Sequence, residues 1–209
     1  MEIKRIAYPV LSLGPGERVA IWTVGCNHHC KGCIAQNLQN SDETYRTSLS
    51  DITAQIERYQ TLNPNLGVTI SGGEPFLQSD LQALLKAIHD MGIEDVLVYT
   101  GYTYEELLSL FPDFQRDFKP YIGVLVDGRY VEELNDNKPL RGSSNQRIIF
   151  LKESLIDKYN GELEGQRKFT VDTNADGTLD IYGIPPKGFL ADMQKKCLKK
   201  GILYAHPKK

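Results

Sequence analysis

Apolar positions fall into two rhythms along this chain, and their alternation sets the first expectation for its fold. Short runs of β-branched and large apolar residues read as strands. They are Arg18-Val19-Ala20-Ile21-Trp22-Thr23-Val24, Gly67-Val68-Thr69-Ile70-Ser71, Val96-Leu97-Val98-Tyr99 and Tyr121-Ile122-Gly123-Val124-Leu125-Val126. Between them lie segments with a helical period. Leu49, Ile52, Ile56 and Tyr59 predict a helix over 48–61, with Ser48 or Ser50 as N-cap. Leu81, Leu84, Leu85 and Ile88 predict another over 80–91, and Thr103 with Glu106 forms the pattern of a capping box at the head of a third. Residues 3–12 alternate weakly, and 146–151 are a further apolar run.

Strand and helix alternate at a spacing suited to βαβ units, which predicts an α/β fold with mostly parallel strands. Strand-ending signals recur at Cys26, Ser71, Thr100 and Asp127. In parallel sheets, sites gather at the carboxyl ends of strands, so these four segments are expected to converge on one rim. From about residue 152 the texture changes. Residues 169–172 and 178–182 read as a hairpin joined through Ala175-Asp176-Gly177, followed by Pro185-Pro186 and an amphipathic helix over about 189–200. The expected organisation is a core over 1–151 and a C-terminal extension of hairpin and helix over 152–209, packed on that core.

Composition narrows the partners. The chain has 209 residues, 41% of them hydrophobic and 24% charged, with a formal net charge of -3. That is enough apolar material for one core without disulfide staples. Acidic and basic residues are mixed, so no basic face suggests nucleic acid. No stretch approaches the roughly 18 to 20 apolar residues of a membrane span, and residues 1–15 lack the apolar core of a secretory signal. The expected location is the cytoplasm.

Cysteine usage points to chemistry. Three of the four cysteines stand together in Gly25-Cys26-Asn27-His28-His29-Cys30-Lys31-Gly32-Cys33, a C-x3-C-x2-C spacing. In a reducing compartment such clustering argues for metal or redox chemistry. Three close thiolates can hold three irons of a [4Fe–4S] cubane and leave the fourth open to a small molecule. A Cys3His zinc site is the alternative, with His28 or His29 as fourth ligand and Cys197, His89 and His206 as remote candidates. Cys197, in a Lys-rich helical pattern, also reads as a small buried residue of the last helix. Ser71-Gly72-Gly73-Glu74-Pro75, taken alone, is an ordinary turn.

Taken together, the cysteine loop and the Gly-Gly-Glu-Pro strand end resemble the radical S-adenosylmethionine superfamily. Further segments extend the resemblance to the anaerobic ribonucleotide reductase activating proteins. These are Cys30-Lys31-Gly32-Cys33, Tyr99-Thr100-Gly101-Tyr102, Val124-Leu125-Val126-Asp127-Gly128-Arg129 and Arg141-Gly142-Ser143-Ser144-Asn145-Gln146-Arg147. The resemblance runs in order over 19–150. It implies a partial (βα) barrel, a [4Fe–4S] cluster on Cys26, Cys30 and Cys33, and S-adenosylmethionine bound beside Ser71, Gly72, Gly73 and Glu74. It implies that Thr100 and Asp127 line the pocket, that Arg129 pairs with the methionine carboxylate, and that Asn145 and Gln146 sit near ribose or adenine. It also implies a flavodoxin or ferredoxin as electron donor, a 5′-deoxyadenosyl radical, and a glycine of the reductase large subunit as hydrogen donor. The extension past 150 and the Gly-Gly-Glu-Pro form, common across the superfamily, keep a second option open: a standalone enzyme modifying a peptide or small metabolite.

Overall fold

Strand order explains how distant segments come to share one rim. The computed structural model describes residues 1–173 and 179–199. Its main sheet has six strands in the order of the chain. They are β1 (Ile3–Val10), β2 (Arg18–Thr23), β3 (Gly67–Gly72), β4 (Val96–Tyr99), β5 (Val124–Asp127) and β6 (Arg147–Phe150). Strands β2 to β5 pair in parallel, whereas β1 and β6 run antiparallel at the two edges. The expected α/β class and mostly parallel sheet are thus observed. The parallel part is confined to the centre because 146–151 returns as a hairpin-like edge strand instead of following a crossover helix.

Helices α1 (Leu49–Leu62), α2 (Leu81–Asp90), α3 (Tyr104–Leu110) and α4 (Phe114–Asp117) follow the strands. Ser48 caps α1 by accepting the Asp51 amide at 3.1 Å. At α3 both bonds of the capping box form: Glu106 N donates to Thr103 Oγ1 at 3.2 Å, and Thr103 N donates to Glu106 Oε2 at 2.8 Å. The apolar stripe Leu81, Leu84, Leu85 and Ile88 on α2 is buried against Val68, Ile70, Val96 and Val98. The strand expected from Tyr121 begins only at Val124. Lys119–Tyr121 form a 3-10 turn, and Pro120 has no amide to contribute to a ladder.

The other face of the sheet is covered by the C-terminal part of the chain. Helix α5 (Ile156–Leu163), not expected from the sequence, packs Tyr159, beside Leu155 of the 3-10 turn before it, with Leu97, Val124, Val126 and Leu140. Strands β7 (Phe169–Thr173) and β8 (Leu179–Gly183) form the expected antiparallel hairpin. Its Ala175-Asp176-Gly177 turn lies outside the described residues, as do Lys200 and His206. Tyr182 meets Trp22 at a ring distance of 5.3 Å, and Ser12 Oγ donates to its carbonyl at 3.0 Å. Helix α6 (Phe189–Lys199) follows.

At the amino ends of the strands, Arg18 is fully buried. Its Nη1 and Nη2 donate to Asp95 Oδ2 and Oδ1 at 2.8 and 3.0 Å, and its Nε to Thr69 Oγ1 at 2.7 Å. Tyr159 Oη donates to Asp95 Oδ1 at 2.7 Å, and Lys158 Nζ lies 2.7 Å from Oδ2. Burial alone would raise the Asp95 carboxyl, but its bonds to Arg18, Lys158 and Tyr159 prevail and hold it below the usual carboxylate range. This end of the sheet is an ionic anchor.

Candidate functional site

The opposite, carboxyl end of the sheet gathers the predicted residues. Parallel pairing sets Trp22 beside Ser71 and Thr23 beside Gly72, so β2 leads into the cysteine loop just where β3 ends. The loop closes on itself through Gly25 N to Leu38 O and Cys26 N to Gln39 O, both 2.8 Å. Within it His29 and Gly32 take positive φ, 48° and 72°. These turns help set three half-buried sulfurs on one short segment.

Two glycines bring the β3 end against that loop. Gly72 has φ 110°, and a Cβ on Gly73 would collide with the Gly25 carbonyl. The Gly73 amide donates to Thr23 O and the Glu74 amide to Gly25 O, each at 2.8 Å.

Glu74 is fully buried, and four donors surround its carboxylate. Oε1 accepts from Phe76 N at 3.0 Å and Thr100 Oγ1 at 2.9 Å. Oε2 accepts from Gly101 N at 2.7 Å and faces His28 Nε2 at 3.0 Å. The other ring nitrogen, His28 Nδ1, accepts from Arg129 Nε at 3.2 Å, which assigns the proton to Nε2. Tyr102 packs edge-on against His28 with ring centroids 4.5 Å apart.

Ends of the next strands complete the rim. Buried Asp127 accepts the Tyr104 amide at 2.7 Å and clamps Arg147, whose Nε reaches Oδ1 at 3.0 Å and whose Nη2 reaches Oδ2. Arg147 also pairs with Glu105, whose carboxyl is held down at about 2, chiefly by that hydrogen bond. Asn145 Nδ2 donates to Arg129 O, and Gln146 Nε2 to Gly128 O, both at 2.8 Å. Arg129 Nη2 lies 3.3 Å from Glu106 Oε1. All twelve predicted residues thus stand at the carboxyl ends of β2 to β5 or on the loop before β6. The Glu74 and Asp127 carboxylates are wholly taken up by protein donors.

The donor set fits an iron–sulfur cluster. The three thiols share one loop, the His28 and His29 amides point to the Cys26 sulfur, and the Ala35 amide points to that of Cys33. Burial pushes both thiols up from their ordinary value, the amides offsetting part of the shift, so the thiolate forms gain from a positively charged metal centre. Among the described residues no three His, Cys, Asp or Glu side chains converge on a point for a single ion. A cubane, by contrast, takes each thiolate on a separate iron. His28, one proposed fourth zinc ligand, has both nitrogens engaged.

Comparison with known proteins covers the part of the chain that carries this site. Residues 12–149 match the 4Fe-4S single cluster domain family. An anaerobic ribonucleoside-triphosphate reductase-activating protein of Vibrio cholerae serotype O1 is 36% identical over 150 residues, covering 68% of this chain and 93% of that protein. Its namesake from Escherichia coli (strain K12) is 32% identical over 153 residues, with 69% and 96% covered. The chain belongs to the family of anaerobic ribonucleoside-triphosphate reductase-activating proteins. A phage member, from Enterobacteria phage T4, is 26% identical over 139 residues, covering 65% of this chain and 85% of its own. The chain therefore contains the 4Fe-4S domain of this family. Among the described residues no helix is long and apolar enough to cross a membrane.

Four residues of the rim escape sequence reasoning. His28 entered only as a zinc ligand, and Tyr102, Glu106 and Arg147 only as parts of motifs. Their spacing gave no sign that His28 bridges Glu74 to Arg129, since those partners lie 46 and 101 positions away.

Proposed function

We propose that this protein activates an anaerobic ribonucleotide reductase by radical S-adenosylmethionine chemistry, leaving a glycyl radical on the large subunit. Cys26, Cys30 and Cys33 would hold the [4Fe–4S] cluster. With an electron from a flavodoxin or ferredoxin, a cluster held by these three residues would supply reductive cleavage of S-adenosylmethionine to methionine and a 5′-deoxyadenosyl radical. The open six-stranded sheet would then be a partial (βα) barrel over 1–151, with 152–209 as its extension.

The observation that carries this reading is the junction of the cysteine loop with the Gly-Gly-Glu-Pro strand end, through the Gly73 and Glu74 amides and the His28–Glu74 pair. Ser71, Gly72 and Gly73 would present backbone to the methionine moiety, because glycine permits close approach. Glu74 and Thr100 would act through the loop they hold. Asp127 would fix the β5 end by its grip on Arg147 and the α3 amide. Arg129, half exposed beside His28, would face the methionine carboxylate, with Asn145 and Gln146 shaping the nucleoside side.

Anaerobic reconstitution with iron and sulfide, followed by dithionite and S-adenosylmethionine, tests this by release of 5′-deoxyadenosine. Replacing Cys26, Cys30 or Cys33 by Ala should abolish it, and retained cleavage would sink the proposal. Mixing with the reductase large subunit should then yield a glycyl-radical EPR doublet. The chain beyond residue 149, outside the family match, favours a second reading with another peptide or a small metabolite as hydrogen donor. Cleavage without a doublet would select it.

A further inference from the structure

Arg167 stands between α5 and β7, beyond the residues matched to the family. Among the described residues its guanidinium donates to five oxygens, none of them a carboxylate's. Nη2 reaches Arg141 O at 2.6 Å and Gly142 O at 3.4 Å. Nε reaches Lys138 O at 3.1 Å, and Nη1 reaches Asn135 Oδ1 and Pro185 O, both at 3.1 Å. Four of the five acceptors belong to residues 135–142. A backbone amide of the extension adds a further tie, Lys187 N to Asn137 Oδ1 at 2.9 Å.

This loop needs holding. Asn137 and Leu140 occupy the left-handed region, with φ 57° and 58°. For a γ-branched residue such as Leu that conformation is costly and persists only when its surroundings enforce it. Beyond Leu140 the constraint passes directly into the rim. Gly142 N and Ser143 N donate to Gln146 Oε1 at 2.7 and 3.1 Å. Gln146 and Asn145 in turn bind the Gly128 and Arg129 carbonyls, and Arg129 touches His28. An unbroken run of hydrogen bonds and covalent backbone thus joins Arg167 to the cysteine loop.

We propose that Arg167 is a positioning residue for the S-adenosylmethionine pocket, fastening loop 135–142 so that Asn145 and Gln146 hold Gly128 and Arg129 in place. The inference rests on the reading above that these residues face S-adenosylmethionine. It makes the C-terminal extension a working part of ligand binding in this chain. Lysine cannot replace the residue, because one ammonium cannot reach five oxygens arranged around a planar fork.

The test uses the full chain with Arg167→Lys and, from the loop side, Asn135→Ala. Equilibrium titration of the reconstituted protein with S-adenosylmethionine should show Kd raised roughly tenfold by Arg167→Lys, the size of a typical coupling between sites. KM for 5′-deoxyadenosine release should rise with it while kcat stays within about twofold. In protein without cluster, trypsin should cut the Arg141–Gly142 bond faster in the variant than in the wild type, read by mass spectrometry. A merely structural role would instead lower the melting temperature and iron content and depress kcat. Unchanged Kd and unchanged cutting would overturn the inference, with the proposed function intact. Wild-type protein that binds no S-adenosylmethionine would overturn both. Should Arg167→Lys fail to fold, Asn135→Ala decides: a raised Kd supports the inference, and wild-type binding refutes it.

Discussion

Glu74 faces His28 across 3.0 Å, and both side chains are almost wholly shielded from solvent, at 1% and 4% exposure. One residue ends a strand and the other belongs to the metal-ligand loop, so the pair locks two segments 46 positions apart.

His28→Ala removes one of four donors to a buried carboxylate. The expected loss of unfolding free energy is about 1–3 kcal/mol, measured by urea denaturation of protein without cluster. Glu74→Gln should destabilise as well, because the amide NH2 at either position then confronts a backbone N–H, of Phe76 or of Gly101, that can only donate. Unchanged midpoints for both variants would mean that this carboxylate does not organise the loop.

Gly73→Ala should disrupt the same junction sterically. A methyl group there meets the Gly25 carbonyl, and overpacking of this kind costs about 1–3 kcal/mol. Iron bound after reconstitution should fall, since Gly25 adjoins the first cysteine. Gly161→Ala makes the contrast: it lies inside α5 with nothing within 4 Å of the new methyl. It should raise stability by about 0.5–1 kcal/mol through helix propensity.

Acid should weaken the ionic anchor in a defined window. The Asp95 carboxyl is depressed below its ordinary value of 3.8. The unfolded chain therefore takes up the proton first, and the stability due to this group is complete above about pH 4. It is lost as pH falls through the lower folded value. Asp95→Asn should remove that part of the acid sensitivity and, by leaving Arg18 buried without a counter-charge, cost about 3–5 kcal/mol at pH 7. Thermal melts of both proteins from pH 7 down to pH 3 check both signs. Parallel curves for the two would contradict the assignment.

Periodicity made most elements readable. The alternation of short apolar runs with 3.6-residue stripes located β2 to β5 and α1 to α3 to within a few residues, because each strand is buried on both faces and each helix on one. Spacing also marked the cysteine loop and the glycines of β3, where backbone conformation restricts the residue type. Strand direction was not legible for β6, since an apolar run looks alike whether its connection returns or crosses over. Helix α5 escaped because Tyr159 and Leu155 are buried among polar neighbours that blur the stripe. Long-range polar partnerships, Arg18 with Asp95 and His28 with Glu74, left no local trace, and Arg167 gave no sign of its five acceptors.

The Tyr159 hydroxyl on Asp95 has a practical consequence for anyone handling this chain. Sequence similarity to shorter relatives invites trimming at the end of β6, which would look like a natural minimal version. Such a cut would strip Asp95 of two of its three side-chain partners and lay bare the sheet face beneath Leu155 and Tyr182. The family match ends at residue 149, whereas Lys158 and Tyr159 from beyond it complete the packing and charge pairing of the sheet.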